Sequence, residues 1–224
     1  ADMKDAKLQG ANLQNAYLQN AYLYGADMKD AKLQGADMRG AYLQNAYLYG
    51  ADMKGANLQG AYLYGANLQG ADMRGADMKD TDMRGADMKD TDMQDADMRG
   101  ADMRGADMQG ADMRGADMKD TDMRGADMKD TDMQDADLQG ANLRRANLQG
   151  ANLDYSAWPL WCGSFDVKCD IRLASQLAYH FCRLDCKDKE VVAAQNALIT
   201  LANKFHRVEE CGVLKTNQEG TTVW

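Results

Sequence analysis

Residues 76–97 read ADMKDTDMRGADMKDTDMQDAD, and the same twenty-two letters return at 116–137. Within the stretch Met falls on every fifth residue, at 78, 83, 88 and 93. Cutting the chain every five residues from Ala1 extends that beat to 31 uninterrupted pentapeptides, ending at Tyr155. The third position is Leu in 14 and Met in 17, which takes up every Met of the chain. The first position is Ala except at Thr81, Thr91, Thr121 and Thr131. The fifth is Gly in 18, Asp in eight and Asn in three, with Arg145 and Tyr155 the departures.

A period of five excludes the two ordinary regular structures. In an α-helix residues five apart are rotated by roughly 140°, so the Leu and Met would be spread around the axis. Gly in more than half of the repeats would cost a helix about 0.8–1 kcal/mol each. In a straight strand an odd period sends the apolar position to alternate faces. A chain that turns a corner once per repeat avoids both. Its first and third residues point inward, and Gly, Asn or Asp at the fifth suits a bend with positive φ.

The pattern A-[DNYK]-[LM]-x-[GDN], repeated without a gap, resembles the pentapeptide repeat proteins over residues 1–155. The resemblance implies an all-β solenoid, a right-handed quadrilateral β-helix with four repeats to a coil and about 8 coils. Third-position side chains would fill its interior and first-position ones pack beside them. At ~4.8 Å per stacked strand such a column is roughly 37 Å long. Its core is too narrow for rings, and the repeats hold no Phe or Trp. Met replaces Leu from Met73 to Met133, a swap that costs a core under about 1.5 kcal/mol. A soft-metal path along those thioethers is the competing reading, and the regular interior spacing favours core.

Residues twenty apart then share a face. Tyr22, Tyr42 and Tyr62 form one stack with Tyr24 and Tyr64 beside it; Tyr17, Tyr47 and Tyr49 lie on neighbouring faces. Ring stacking is the plain reading, and a sugar- or partner-binding patch the sharper one. From Asp72 to Asp137 the second position is always Asp, answered at most fourth positions by Lys or Arg. Residues 1–155 carry 27 Asp against 9 Lys and 9 Arg, and residues 156–224 are neutral, so the net −9 belongs to the repeats. That sign disfavours direct nucleic-acid binding. A calcium column is disfavoured because flat faces do not converge six to eight oxygens on one point.

The resemblance also raises DNA mimicry, since some family members look like B-DNA in shape and charge and protect DNA gyrase from quinolones. Duplex DNA of ~37 Å bears roughly 22 negative charges, well above the net −9 here. Nor does any gap in the 31 repeats leave room for a protruding loop. A non-enzymatic scaffold for an unknown protein partner is the primary expectation, and a gyrase- or topoisomerase-binding mimic the alternative. No catalytic, cofactor-binding or metal residue is assigned.

The beat stops after Tyr155, and residues 156–224 read as a separate C-terminal cap. Trp158, Pro159, Leu160 and Trp161 fall in a plug expected over 156–165, because a solenoid end exposes its core. Two helices should follow. Asp170 reads as an N-cap before a stripe of Leu173, Leu177, Phe181 and Leu184. Asp188 reads as the next, before Val191, Ala194, Leu198, Leu201, Phe205 and Val208, with Gly212 at the end. The segment PLWCGSFDVKCDIRLASQLAYHF, from Pro159, resembles a tail of other bacterial members, some of which dimerise through C-terminal helices; a homodimer is expected. Cys162, Cys169, His180, Cys182 and Cys186 are the one conceivable zinc set, but Cys162 and Cys169 stand further apart than zinc pairs do. Five irregularly spaced Cys point to a reducing cytosol. No secretory leader or apolar run of membrane-spanning length is read, and a cytoplasmic location with no membrane contact is expected. The sequence opens at Ala1 rather than at an initiator Met, so it reads as trimmed or as continued upstream.

Overall fold

The computed structural model describes residues 1–157, 167–183, 189–204, 208 and 213–215. The chain forms two compact units, Ala1–Lys168 and Cys169–Trp224.

The first unit is a right-handed quadrilateral β-helix. Second-position residues pair in parallel with those twenty further on, from Asp2 with Tyr22 to Asp137 with Ala157. Twenty residues therefore make one coil and four pentapeptides its four sides. Each interior repeat donates three backbone bonds to the adjoining coils and accepts three, as at Tyr42. There Tyr42 N–H donates to Ala21 O at 2.9 Å, Leu43 N–H to Tyr62 O at 2.7 Å and Asn45 N–H to Tyr64 O at 3.0 Å.

Each corner is a turn closed by the next first-position N–H on the third-position carbonyl, as from Ala46 to Leu43 at 3.0 Å. All 31 fifth-position residues have positive φ, and no fourth-position residue does, which makes the turns type II. Even Arg145 (φ 61°) and Tyr155 (φ 60°) take the left-handed form. For a residue with a Cβ that form costs roughly 1–2 kcal/mol. The register therefore overrides local preference.

First- and third-position side chains fill the column. From Ala21 to Leu153 every Leu, Met and Ala at those positions is buried, most of them completely. Met3, Leu8 and Leu13, in the first coil, are only half-buried. Burying one Leu or Met stabilises by about 1.5–3 kcal/mol, and each interior coil buries four. Thr81, Thr91, Thr121 and Thr131 are buried too, because each hydroxyl donates to the carbonyl three residues back, as Thr81 Oγ1 does to Met78 O at 2.7 Å. The turn's own N–H bond to that carbonyl lengthens to 3.3 Å.

The letters lose the five-residue beat after Tyr155, yet pairing continues. Ser156 Oγ donates to Leu153 O at 2.8 Å as the threonines do, and Ala157 and Lys168 add two further rungs. Lys168 pairs with Asn147 at a spacing of twenty-one rather than twenty. The plug expected over 156–165 otherwise lies outside the described residues.

The second unit holds α1 (Ile171–Cys182) and α2 (Lys189–Ala202). Asp170 caps α1 as expected: its Oδ1 accepts Arg172 N–H at 3.0 Å and Leu173 N–H at 3.1 Å. Asp188, Leu184, Phe205 and Gly212 lie outside the described residues. Most of the expected stripes hold: Leu173 is buried, and Phe181, Leu198, Leu201 and Val208 pack against the core of this unit, but Leu177 and Ala194 do not. On α1, Leu177 is exposed, and Ser175, Ala178, Tyr179 and Cys182 are buried. On α2, Ala194 is exposed and Gln195 and Ala202 are buried. Small residues let the helices approach, and polar groups bind across them: Gln195 Nε2 donates to Phe181 O at 3.1 Å and Cys182 Sγ to Gln195 O at 3.4 Å. Asn203 is further tied to Leu214 by two bonds of 2.9 Å. A search for large apolar letters passes over such contacts.

Candidate interaction surface

With the core closed, the second, fourth and fifth positions carry whatever the column presents outward. Four faces result, and their chemistry differs.

Between residues 71 and 140 the outer sheet is an ion-pair lattice. A second-position Asp accepts the backbone N–H two residues on, which fixes its carboxylate; Arg84 N donates to Asp82 Oδ1 at 3.3 Å. The fourth-position side chain then joins its own Asp to that of the next coil. Arg grips its own Asp with both arms: Arg84 Nε reaches Asp82 Oδ1 at 2.7 Å and Nη2 reaches Oδ2 at 2.7 Å, while Asp102 stands at 3.6 Å. Lys, a point charge without a fork, commonly sits nearer the coil above; Lys89 is 3.6 Å from Asp87 and 2.7 Å from Asp107. Gln keeps the same bridge without charge, as Gln94 Nε2 does to Asp112 Oδ2 at 2.9 Å. Three Asp ladders end in Asn; Asn147 and Asn152 donate back to Asp127 and Asp132 at 3.0 Å.

Pairs of this kind, inside the lattice and at Arg39 and Asp37 below it, hold carboxyls below their ordinary range. Arg39 hydrogen-bonds Asp37 and Arg99 hydrogen-bonds Asp97, and each carboxyl falls to about 2 against a smaller burial effect. At Asp72, desolvation is the largest influence and acts upward, but Arg74 and Lys54 outweigh it and the group also falls to about 2.

A second lattice runs along the corners. Of the eleven Asp and Asn at fifth positions, ten are followed by Gly twenty residues later. In the left-handed turn the Asx side chain leans over the next coil. A Cβ on Gly100 would lie 2.6 Å from Asp80 Oδ1, and one on Gly110 2.5 Å from Asp90 Oδ1. At Gly75 and Gly105, whose lower neighbours are Gly55 and Gly85, the same Cβ would meet nothing within 4 Å. A corner Asx therefore takes Gly above it, and where Asx recurs along a column it alternates with Gly. Asp80, Gly100, Asp120 and Gly140 do so, around an open depression lined by Lys79, Asp80, Arg99, Gly100 and Asp120. The exception is Asp135, followed by the exposed Tyr155.

The tyrosine stack forms as the twenty-residue spacing requires. Tyr22 to Tyr42 and Tyr42 to Tyr62 are each 5.1 Å between ring centroids and within 12° of parallel. Tyr24 joins at 5.7 Å from Tyr42, and the Arg84 guanidinium lies 5.7 Å from the Tyr64 ring. Tyr17, Tyr47 and Tyr49 stand exposed on other faces.

Of the zinc candidates, Cys169 is exposed and Cys182 buried, with its thiol pushed up by desolvation and bound to a carbonyl. Cys162 and Cys186 lie outside the described residues. Among the described residues no three His, Cys, Asp or Glu side chains are grouped to hold a metal ion. No helix of those residues is long and apolar enough to cross a membrane.

The family profile described as Pentapeptide repeats matches in eight copies, in segments that together span residues 1–154. The chain belongs to the pentapeptide repeat family. Among solved structures it is similar to HetL, a pentapeptide repeat protein involved in heterocyst differentiation regulation in the cyanobacterium Nostoc sp. strain PCC 7120. That likeness has 28% identity, a TM-score of 0.55 and coverage of 75% of this chain and 73% of HetL. It is also similar to a trypsin-treated variant of QnrB1, a plasmid-mediated fluoroquinolone resistance protein, at 17% identity and TM-score 0.60, over 80% of this chain and 92% of that one. The second likeness is one of fold alone. Among curated protein sequences none matches this chain.

Proposed function

We propose that this protein is a non-enzymatic scaffold whose β-helical unit docks partner proteins on its faces. The observation that carries the reading is the ordering of the outer side chains. Most Arg and Lys of the outer sheet bridge their own Asp to that of the next coil, as Arg84 joins Asp82 and Asp102, which presents a preorganised surface. A cytoplasmic setting belongs to the same proposal, as does self-association through the helical unit, where Ile171 and Leu177 stand exposed on α1.

The alternative, a DNA-mimicking partner of gyrase or another topoisomerase, draws on the acidic column. Its weakness is the neutralised sheet. Most second-position Asp are paired, so the column's negative charge is far less dense than the phosphates of a duplex. A supercoiling assay with purified gyrase separates the two. Under the scaffold reading, added protein leaves supercoiling and quinolone sensitivity unchanged; inhibition or protection would establish the mimic.

A further inference from the structure

The acidity of the column is not shared equally. The face and corner built from residues 1–5, 21–25 and each block twenty further on to 141–145 carry five Asp against one Lys and five Arg, net +1. The other three sides carry −3, −4 and −3. The first face is also the aromatic one. Its lower half holds Tyr22, Tyr24, Tyr42, Tyr62 and Tyr64, and its upper half the Arg84, Arg104 and Arg124 ladder. Tyr and Arg are enriched at protein interfaces, where Asp and Lys are depleted.

The geometry says what such a face offers. Stacked at 5.1 Å, the rings cover one another's π faces, so their rims and hydroxyls are left for solvent. A ring rim is the electropositive part of the quadrupole. In the ladder above, Nε and Nη2 of each Arg are taken by its own Asp, and among the described residues no bond reaches Nη1 of Arg84, Arg104 or Arg124. Those side chains are 40–46% exposed. Both halves of the face therefore present donors and positive edges, on a protein that is otherwise acidic.

We propose that this face is the docking site for an acidic polypeptide segment bearing aromatic side chains. Aromatic rings of the partner lie flat on the tyrosine rims, edge to face. Its carboxylates take the free arms of the arginine ladder, about three coils or ~14 Å further along. The three acidic sides repel the same segment, which confines it to one face. This inference rests on the scaffold reading and names the chemistry of its partner.

The probe is a fluorescein-labelled peptide reading Trp-Trp-Gly-Ser-Gly-Ser-Glu-Glu-Glu-Glu, whose extended spacer reaches about 13 Å. Its binding is read by anisotropy at low salt. Tyr42→Asn and Arg104→Gln each weaken it at least about tenfold. Both replacements are letters the solenoid already uses, Asn at second position in Asn57 and Asn67 and Gln at fourth in Gln94 and Gln109, so folding is kept. Tyr47→Asn and Arg114→Gln, on other faces, change binding less than twofold. A probe with Lys in place of Glu does not bind. The proposal is overturned if the peptide fails to bind at millimolar concentration, or if the two pairs of variants lose it equally. It is likewise overturned if oligo-dT binds the same face more tightly, or if Tyr42→Asn acts only by dissolving a self-associated form. The gyrase assay decides the scaffold reading independently, so failure here with no gyrase effect strikes only the choice of face and partner.

Discussion

The column carries two chemistries on one backbone. Below residue 71 the interior is mostly Leu and the coat Tyr, Asn and Gln; from 71 to 137 the interior is Met and the coat Asp, Arg and Lys. The rungs do not register the change. Leu43 N–H meets Tyr62 O at 2.7 Å and Met93 N–H meets Asp112 O at 2.7 Å, and corner φ is 56° at both Asn45 and Asp80. Position within the five sets the fold, and residue identity sets the surface. Regions of equal architecture can then differ in what they recognise.

The largest effect tests whether the two interiors are equivalent. Met103→Ala and Leu43→Ala each remove a fully buried side chain, and each should cost about 2–5 kcal/mol in urea unfolding. A Met loss far below the Leu loss would break the equivalence. Next come the corners. Gly110→Ala must displace Asp90 Oδ1 as well as take a φ of +69°, whereas Gly75→Ala meets only open space at +62°. The first should lose about 1 kcal/mol more than the second, whose own cost is about 1–2 kcal/mol.

Acid should separate the halves. Asp72 and Asp97 are held near 2, and Asp82, Asp112 and Asp122 are also lowered. A carboxyl depressed in the fold stabilises it above its unfolded value near 4 and loses that contribution as pH falls through the folded value. Hydrogen exchange corrected for intrinsic rate should therefore stay flat from pH 7 to about 4. Between about 4 and 2 it should rise in residues 71–137 before residues 41–65. The smallest effect is Arg114→Gln, within about 1 kcal/mol, because the pair is exposed and Gln can keep the bridge.

Much of this was legible. The positions of Leu, Met and Ala gave the interior, the twenty-residue spacing gave the tyrosine stack, and Asp170 gave a cap. What escaped reading depends on contact between coils or helices. Arg145 and Tyr155 take a turn that their letters disfavour, and the buried threonines are explained by a hydroxyl bond rather than by size. In the helical unit Gln195 and Ser175 are inside while Leu177 is out, since the packing there is decided by helix approach and polar pairing. The uneven charge of the four sides was countable from the letters, but only once the column assigned each residue a side.

The forty-residue duplication also acquires a physical reason. Twenty residues close a coil, but a corner Asp crowds a Cβ above it and ten of the eleven corner Asx have Gly there, so a block rich in corner Asp recurs with least crowding every second coil. Asp80, Asp90 and Asp95 return as Asp120, Asp130 and Asp135, with Gly100, Gly110 and Gly115 between. Two deletions put this to the test by their denaturation midpoints, after allowance for length. Removing residues 76–115 takes out two coils and creates no new stacking of corner Asp: Asp120, Asp130 and Asp135 come to lie above Gly60, Gly70 and Gly75, and their upper neighbours Gly140, Gly150 and Tyr155 are those of the parent. Removing 96–115 takes out one coil with the interior in register, but stacks Asp120 on Asp80, Asp130 on Asp90 and Asp135 on Asp95. The two-coil deletion should unfold near the parent's midpoint, and the one-coil deletion should be less stable by about 1–3 kcal/mol. A one-coil deletion as stable as the two-coil deletion would contradict the account.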